Sequence, residues 1–296
     1  MTNFSLIIPN RNNSELLSRC LDSIPKRDDI QIIVIDDNSD EHYVDFAKYP
    51  GCDNPNVELV FSKEGKGAGY ARNIGIKQAK GKWLVFCDSD DEIITDSFSR
   101  KLDEYLDSDA EIVFFDVEVL DYNTNEILSA NNSYQSIILS KKKNREELCR
   151  YKLRVPWGKM IKKSLVDCHH IEFDETTVAN DSFFSLKTGY YAKSILIDKT
   201  PIYKWFTKRS GSITSKASKE FALQHFQCSL RRNAFMYDHN VGRYHDNLFL
   251  SVPNLIRNGF SKKETIKMVV SNSKKKYIVC DLFNVLFFLI DKNCHV

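Results

Sequence analysis

Three carboxylates, Asp88, Asp90 and Asp91, follow directly on the apolar run Trp83-Leu84-Val85-Phe86-Cys87. Acids this close repel one another unless a positive charge sits among them. Two carboxylates spaced i, i+2 about the small Ser89 suit a hard divalent cation that phosphate oxygens also hold. The plainer reading is an acidic turn between a strand and a helix. The pattern occurs twice, because Gln31–Ile35 also runs into acids, Asp36-Asp37-Asn38-Ser39-Asp40. Arg72 falls in the first turn of a helix predicted over Tyr70–Ala79, where a cation opposes the helix dipole and calls for an acidic or phosphate partner. A surface arginine is the alternative there. Asp181 heads an apolar-faced helix with Phe183, Phe184 and Leu186, where capping is the simple role.

Those residues need a frame, and the apolar runs supply one. Phe4–Ile8, Gln31–Ile35, Val57–Phe61 and Trp83–Cys87 read as strands apolar on both faces, as expected of a parallel sheet covered by helices. Helices alternate with them: one beginning near a Ser14 N-cap, Tyr70–Ala79, and Ser97–Leu106. This predicts an α/β, mostly parallel, doubly wound sheet over the first third of the chain. In such sheets ligands bind at the carboxyl ends of the strands, where both acidic groups fall. Ile112–Leu120 is a further strand and Asp121–Asn125 a turn before Glu126–Ser129. Asn131–Arg145 is polar and basic, and reads as an excursion or loop. Pro156-Trp157-Gly158-Lys159 reads as a turn, Ile195–Ile197 and Ile202–Phe206 as short strands, and Lys208 to Thr214 as a basic, hydroxyl-rich loop.

Composition narrows the class. The chain has 296 residues with 42% apolar and 28% charged, an ordinary soluble balance, and a net charge of +2 gives no case for nucleic acid. Its eight cysteines form no C-x-x-C pair, and Met1-Thr2-Asn3 leads straight into a strand; reduced thiols in cytoplasm are expected. No apolar run reaches the roughly 18 residues needed to span a bilayer. Glycines 65, 67 and 69 match neither a P-loop nor a dinucleotide fingerprint, so Lys63–Gly69 reads as a flexible loop. His169-His170 lacks spaced ligand partners.

Six ordered pieces then carry a resemblance: FSLIIPNRNN, IIVIDDNSDE, GYARNIGIKQAKGKWLVFCDSDDE, VPWGKMIKKSLV, VANDSFFSLK and RSGSITSK. In that order they resemble the family 2 inverting glycosyltransferases, whose fold is called GT-A. The resemblance covers residues 4 to about 216. It implies a GT-A catalytic domain over 1–216, with a nucleotide-sugar half to about 110 and an acceptor half from 111, followed by a helical region over 217–296. It implies transfer of a sugar from a nucleotide-diphospho-sugar, UDP favoured, to a glycan or lipid-linked acceptor in surface polysaccharide or glycolipid synthesis. Mn²⁺ or Mg²⁺ would be held by Asp90 and Asp88. Pro9, Asn10 and Arg11 would line the base and ribose, and Asp37, with Asp36 and Ser39, the uracil edge. Arg72, Ser89, Lys208 and Arg209 complete the donor side. Trp157 and Asp91 would lie toward the acceptor, and Asp181 would be the general base. Two positions depart from the family: Arg11 replaces an aromatic residue, and Asn180 an acid. Rival readings are a sugar nucleotidyltransferase, which wants a glycine-rich basic loop after the first strand, and a non-catalytic nucleotide-sugar scaffold.

Residues from 217 on are expected to be helical. Lys274-Lys275-Lys276 precedes Tyr277–Ile290, an aromatic-rich amphipathic stretch suited to an anionic membrane on the inner face of the cell. Packing on the catalytic domain or on a twin subunit in a homodimer is the alternative.

Overall fold

The structure, a computed structural model, describes the chain except residues 129–132, 210–217, 276, 279–280 and 283–296. The chain divides into two compact units, Met1–Arg209 and Ser210–Val296.

In the first unit β1 (Phe4–Asn10), β2 (Ile30–Asp37), β3 (Val57–Ser62) and β4 (Trp83–Phe86) pair in parallel, β1 lying between β2 and β4. Every residue of β1, β2 and β4 is buried, which is why their sequences run apolar without alternating. Crossovers through α1 (Ser14–Asp22) and α2 (Ala68–Gln78) cover the sheet. Helix α2 lies flat on it because Gly75 has no side chain. A Cβ there would stand 2.4 Å from Ile7 and 3.0 Å from Ile35.

The sheet continues beyond β4 to eight strands in the order β3-β2-β1-β4-β7-β6-β8-β5. Here β5 is Glu92–Ile93, β6 Ile112–Asp121, β7 Lys159–Lys162 and β8 Ile195–Thr207. Strand β7 runs antiparallel to both neighbours, while β6 and β8 are parallel through a bulge at Asp116. Helix α3 (Thr95–Tyr105) follows β5, and α4 (Ser133–Ile138), α5 (Arg145–Lys152), α6 (Lys163–Cys168) and α7 (Ser182–Tyr191) pack around the second half. The α/β, mostly parallel sheet expected from the sequence is present.

Several local expectations change. Asp36 and Asp37 belong to β2 itself, since their backbones pair with Phe61 and Ser62 of β3. Asn13, not Ser14, is the N-cap of α1. The polar stretch after residue 131 contains α4 and the start of α5 instead of a loop. Lys159 opens strand β7, and the two short strands near 195 and 202 are one long β8. His169 stacks on Tyr191 with ring centroids 4.2 Å apart.

The second unit contains α8 (Lys219–Asp238), α9 (Val252–Arg257) and α10 (Lys262–Asn272). Ala222, Phe226, Leu248, Leu255 and Val269 form its own small core. Beside them Arg232, fully buried, pairs with Asp246 at 2.9 Å. Among the described residues no helix is long and apolar enough to cross a membrane. Most of Lys274–Ile290 lies outside the described residues.

Candidate active site

Strand β4 ends beside Arg72 of α2 and Tyr203 of β8, which both meet Asp88, and in the register of the sheet Phe86 pairs with Ile7 while Asn10 pairs with Asp36. The chain then turns back, with the Asp91 N–H donating to the Asp88 carbonyl at 3.1 Å. This turn brings one carboxylate oxygen each of Asp88, Asp90 and Asp91 within 4.8 Å of one another.

The three acids differ in what holds them. Asp88 is about one-third exposed and ion-paired with the Arg72 guanidinium at 2.5 Å. Asp90 pairs with Arg209 at 2.7 Å, and Arg19 donates to its carbonyl at 3.0 Å. Burial raises the Asp90 carboxyl above its ordinary value, neighbouring Asp88 adds to the rise, and Arg209 opposes it. Asp91 is 3% exposed, and it accepts from the Tyr203 hydroxyl at 2.6 Å and the Phe206 N–H at 2.8 Å. Burial pushes it well above the usual carboxylate range, with Asp90 and Asp88 adding to the effect. Tyr203 also accepts from the Asp88 N–H at 3.1 Å, so one phenol fixes both ends of the acidic turn.

Hard carboxylate oxygens fit a Mn²⁺ or Mg²⁺ ion, and mutual repulsion among them is the electrostatic condition a cation relieves. Asp88 and Asp90 retain the exposure a ligand needs. Asp91 is buried and tied into β8 through Tyr203 and Phe206.

Arg72 resolves against the surface reading. It is 5% exposed, and besides Asp88 it donates to the Asn180 side-chain oxygen at 2.9 Å. The guanidinium thereby joins the acidic turn to the residue preceding Asp181. Asp181 is the N-cap of α7 but makes no side-chain capping bond, leaving its carboxylate for other work. Burial raises it, Arg72 counteracts, and Asp88 raises it further, which puts Asp181 in the same electrostatic field as the acidic turn.

At the end of β2 the two acids hold different parts of the chain. Asp36 is 2% exposed and accepts from the Ser39 N–H at 2.8 Å, the Ser39 hydroxyl at 2.5 Å and the Tyr49 hydroxyl at 2.8 Å. Its carboxylate is thus spent on scaffolding, and Ser39 with it. Asp37 accepts from the backbone of Lys66 at 3.2 Å and Gly67 at 2.5 Å, so the glycine-rich loop is folded onto β2. Gly67 sits at φ +95°, a conformation that favours glycine. Asn10 donates to Tyr49 at 2.8 Å, while its buried Oδ1 has no hydrogen-bond partner among the described residues. Pro9 is buried in β1, Arg11 is exposed, and Ser89 is buried within the acidic turn.

Two more of the expected site residues are held by protein partners. Trp157 is 4% exposed and stacked on Tyr203 at 5.2 Å, with Tyr134 and Trp205 flanking it. It therefore buttresses the phenol that holds the turn and does not line an open surface. Lys208 pairs with Asp121 at 2.8 Å, whereas Arg209 meets Asp90. Sequence reasoning missed Tyr203, Tyr49 and Arg19, whose partners are distant in the chain and carry no local motif.

The sequence model described as "Glycosyl transferase family 2" matches residues 5–169, more than half the chain and inclusive of the acidic turn. The chain is 29% identical over 225 residues to the glycosyltransferase EpsH of Bacillus subtilis, covering 73% of this chain and 64% of EpsH. It is 27% identical over 229 residues to TarS of Staphylococcus aureus, a poly(ribitol-phosphate) beta-N-acetylglucosaminyltransferase, covering 73% of this chain and 38% of TarS. The aligned part is thus less than two thirds of either relative. The fold agrees with the crystal structure of TarS 1–349 in complex with UDP-GlcNAc: TM-score 0.59, 18% identity, covering 92% of this chain and 71% of that one. It also agrees with mannosyltransferase PcManGT of Pyrobaculum calidifontis in complex with GDP-Man and Mn²⁺: TM-score 0.61, 13% identity, covering 97% and 80%. On the family match and the architecture together, the chain belongs to glycosyl transferase family 2 and has the GT-A fold.

Proposed function

We propose that the chain moves a sugar, with inversion, from a UDP-sugar to an acceptor hydroxyl on a surface polysaccharide or glycolipid. The observation that carries this is the Asp88–Arg72–Asn180 bridge, which ties a cation-fitting pair of acids to the residue just before Asp181, the N-cap of α7. TarS in complex with UDP-GlcNAc and PcManGT in complex with GDP-Man support the donor class, and PcManGT with Mn²⁺ supports the metal.

Asp88 and Asp90 would hold Mn²⁺ or Mg²⁺, which when bound neutralises charge growing on the departing nucleoside diphosphate. Arg72 and Arg209 already stand at these acids, and guanidinium forks suit diphosphate oxygens. Asp181 removes the proton of the acceptor hydroxyl as that oxygen attacks the anomeric carbon, its basicity raised by burial. Attack opposite the leaving group inverts the centre with a single base. Asp37 keeps lone pairs for the uracil N3–H while it holds the glycine loop, and the unpartnered Asn10 Oδ1 offers an acceptor to the donor's ribose. We assign residues 1–216 to catalysis and the chain to the cytoplasm, where thiols such as those of Cys20 and Cys87 stay reduced.

The test is calorimetric binding of UDP, GDP, CDP and dTDP, with and without Mn²⁺, to wild type and Asp90→Ala, followed by a transfer screen with UDP-sugars. Metal-dependent UDP binding that the substitution removes supports the reading. Preference for another nucleotide overturns the donor, and tight binding with no turnover of any sugar points to a scaffold.

A further inference from the structure

Helix α10 has two unlike faces. Thr265 and Val269, one turn apart, are fully buried, and Val269 belongs to the small core of the second unit. Lys263, Ile266, Lys267 and Val270 lie on the opposite side by helical spacing, and with Ser271 they line a shallow open groove. A solvent-facing surface should be polar, yet Ile266 is 56% and Val270 45% exposed, held between two lysines. The helix is a firmly built one, opened by a capping box in which Ser261 and Glu264 bond reciprocally.

Charge says what such a face meets. Residues 210–296 carry thirteen Lys and Arg against six Asp and Glu, a net of +7, whereas residues 1–209 are net negative. Lys262, Lys263 and Lys267 stand on α10 against a single acid, Glu264, which the capping box uses. A second copy in a two-fold pairing would set lysine against lysine. A nucleic acid would use the lysines and leave both aliphatic side chains wet.

We propose that this face of α10 docks on an anionic phospholipid bilayer. Ile266 and Val270 enter the boundary between headgroups and acyl chains, and Lys263 and Lys267 lay their stems along it with the ammonium groups at lipid phosphates. The proposal uses residues 263–271, ahead of Lys274 in the chain, and does not rest on the donor or metal assignment.

The test is flotation of the full chain with vesicles of phosphatidylcholine alone or of phosphatidylcholine with phosphatidylglycerol. Binding to the anionic vesicles is expected to exceed binding to neutral ones by about tenfold or more and to fall with added salt. Ile266→Asp with Val270→Asp, and separately Lys263→Glu with Lys267→Glu, each reduce it about tenfold. Circular dichroism should stay unchanged because the positions are exposed; the milder pair Lys263→Ala with Lys267→Ala provides a second reading if the first variants misfold. Equal flotation of wild type and folded variants, or no flotation with either vesicle, overturns the proposal. So does a wild-type dimer that the substitutions dissociate without changing flotation.

Discussion

Arg72 and Asn180 are 108 positions apart in sequence, yet one hydrogen bond and one ion pair make them a single device with Asp88. Arg72→Lys keeps the charge but loses the planar fork, and a lysine cannot meet both partners in that geometry. We expect transfer to fall about 100-fold while circular dichroism is unchanged, since misplacing a reacting group by an ångström costs that much. Asp181→Asn should lower kcat by about 10²- to 10⁴-fold and leave metal-dependent UDP binding intact. The pH profile follows from the raised carboxyl. Its folded-state value lies above the ordinary 3.8, so the base is active above that raised value and is lost as pH falls through it. The acid limb of wild-type kcat should therefore sit above pH 3.8, and residual activity of the Asn variant should lack it. A limb unchanged in the variant would assign the base elsewhere.

At the scale of elements, legibility follows burial. The runs of β1, β2 and β4 could be read because a strand buried on both faces is apolar at most positions and does not alternate. Strand β7 could not, since it is four residues long with a lysine at each end, and the buried Lys159 reads as a loop residue. Trp157 in a Pro-Trp-Gly-Lys run likewise suggests an exposed turn, and its stack on Tyr203 depends on β8, some forty residues later. The acidic turn was legible as chemistry, while its support was not, because nothing near Tyr203 announces two hydrogen bonds to residues over a hundred positions away. Tyr203→Phe tests that support. Removing the hydroxyl leaves the buried Asp91 oxygen and the Asp88 N–H short of a partner, costing about 1–3 kcal/mol of stability by denaturant unfolding. Mn²⁺ affinity should fall as well. Gly75→Ala tests the packing of α2: its methyl meets Ile7 and Ile35 in the sheet, and overpacking of this kind costs about 1–3 kcal/mol.

On the scale of the whole molecule, each unit has its own core, and the second holds a buried Arg232–Asp246 pair in place of a larger apolar interior. The Asp88–Asp90 acids, Arg72, Arg209 and Asp181 all belong to the first unit. Ligand energy should therefore enter that unit alone. At about 100 times its Kd, UDP with Mn²⁺ adds about 2.7 kcal/mol to whatever binds it. For a unit of this size that raises Tm by roughly 5–10 °C. Arg232→Met acts in the other direction and place. It takes the Arg232 guanidinium from the buried Asp246, which costs about 3–5 kcal/mol, enough to unfold a unit with so small an apolar core. Scanning calorimetry should then show two transitions, one raised by UDP with Mn²⁺ and insensitive to Arg232→Met, the other lowered or abolished by that substitution and insensitive to ligand. A single transition that answers to both would mean that the small core cannot stand without the large one.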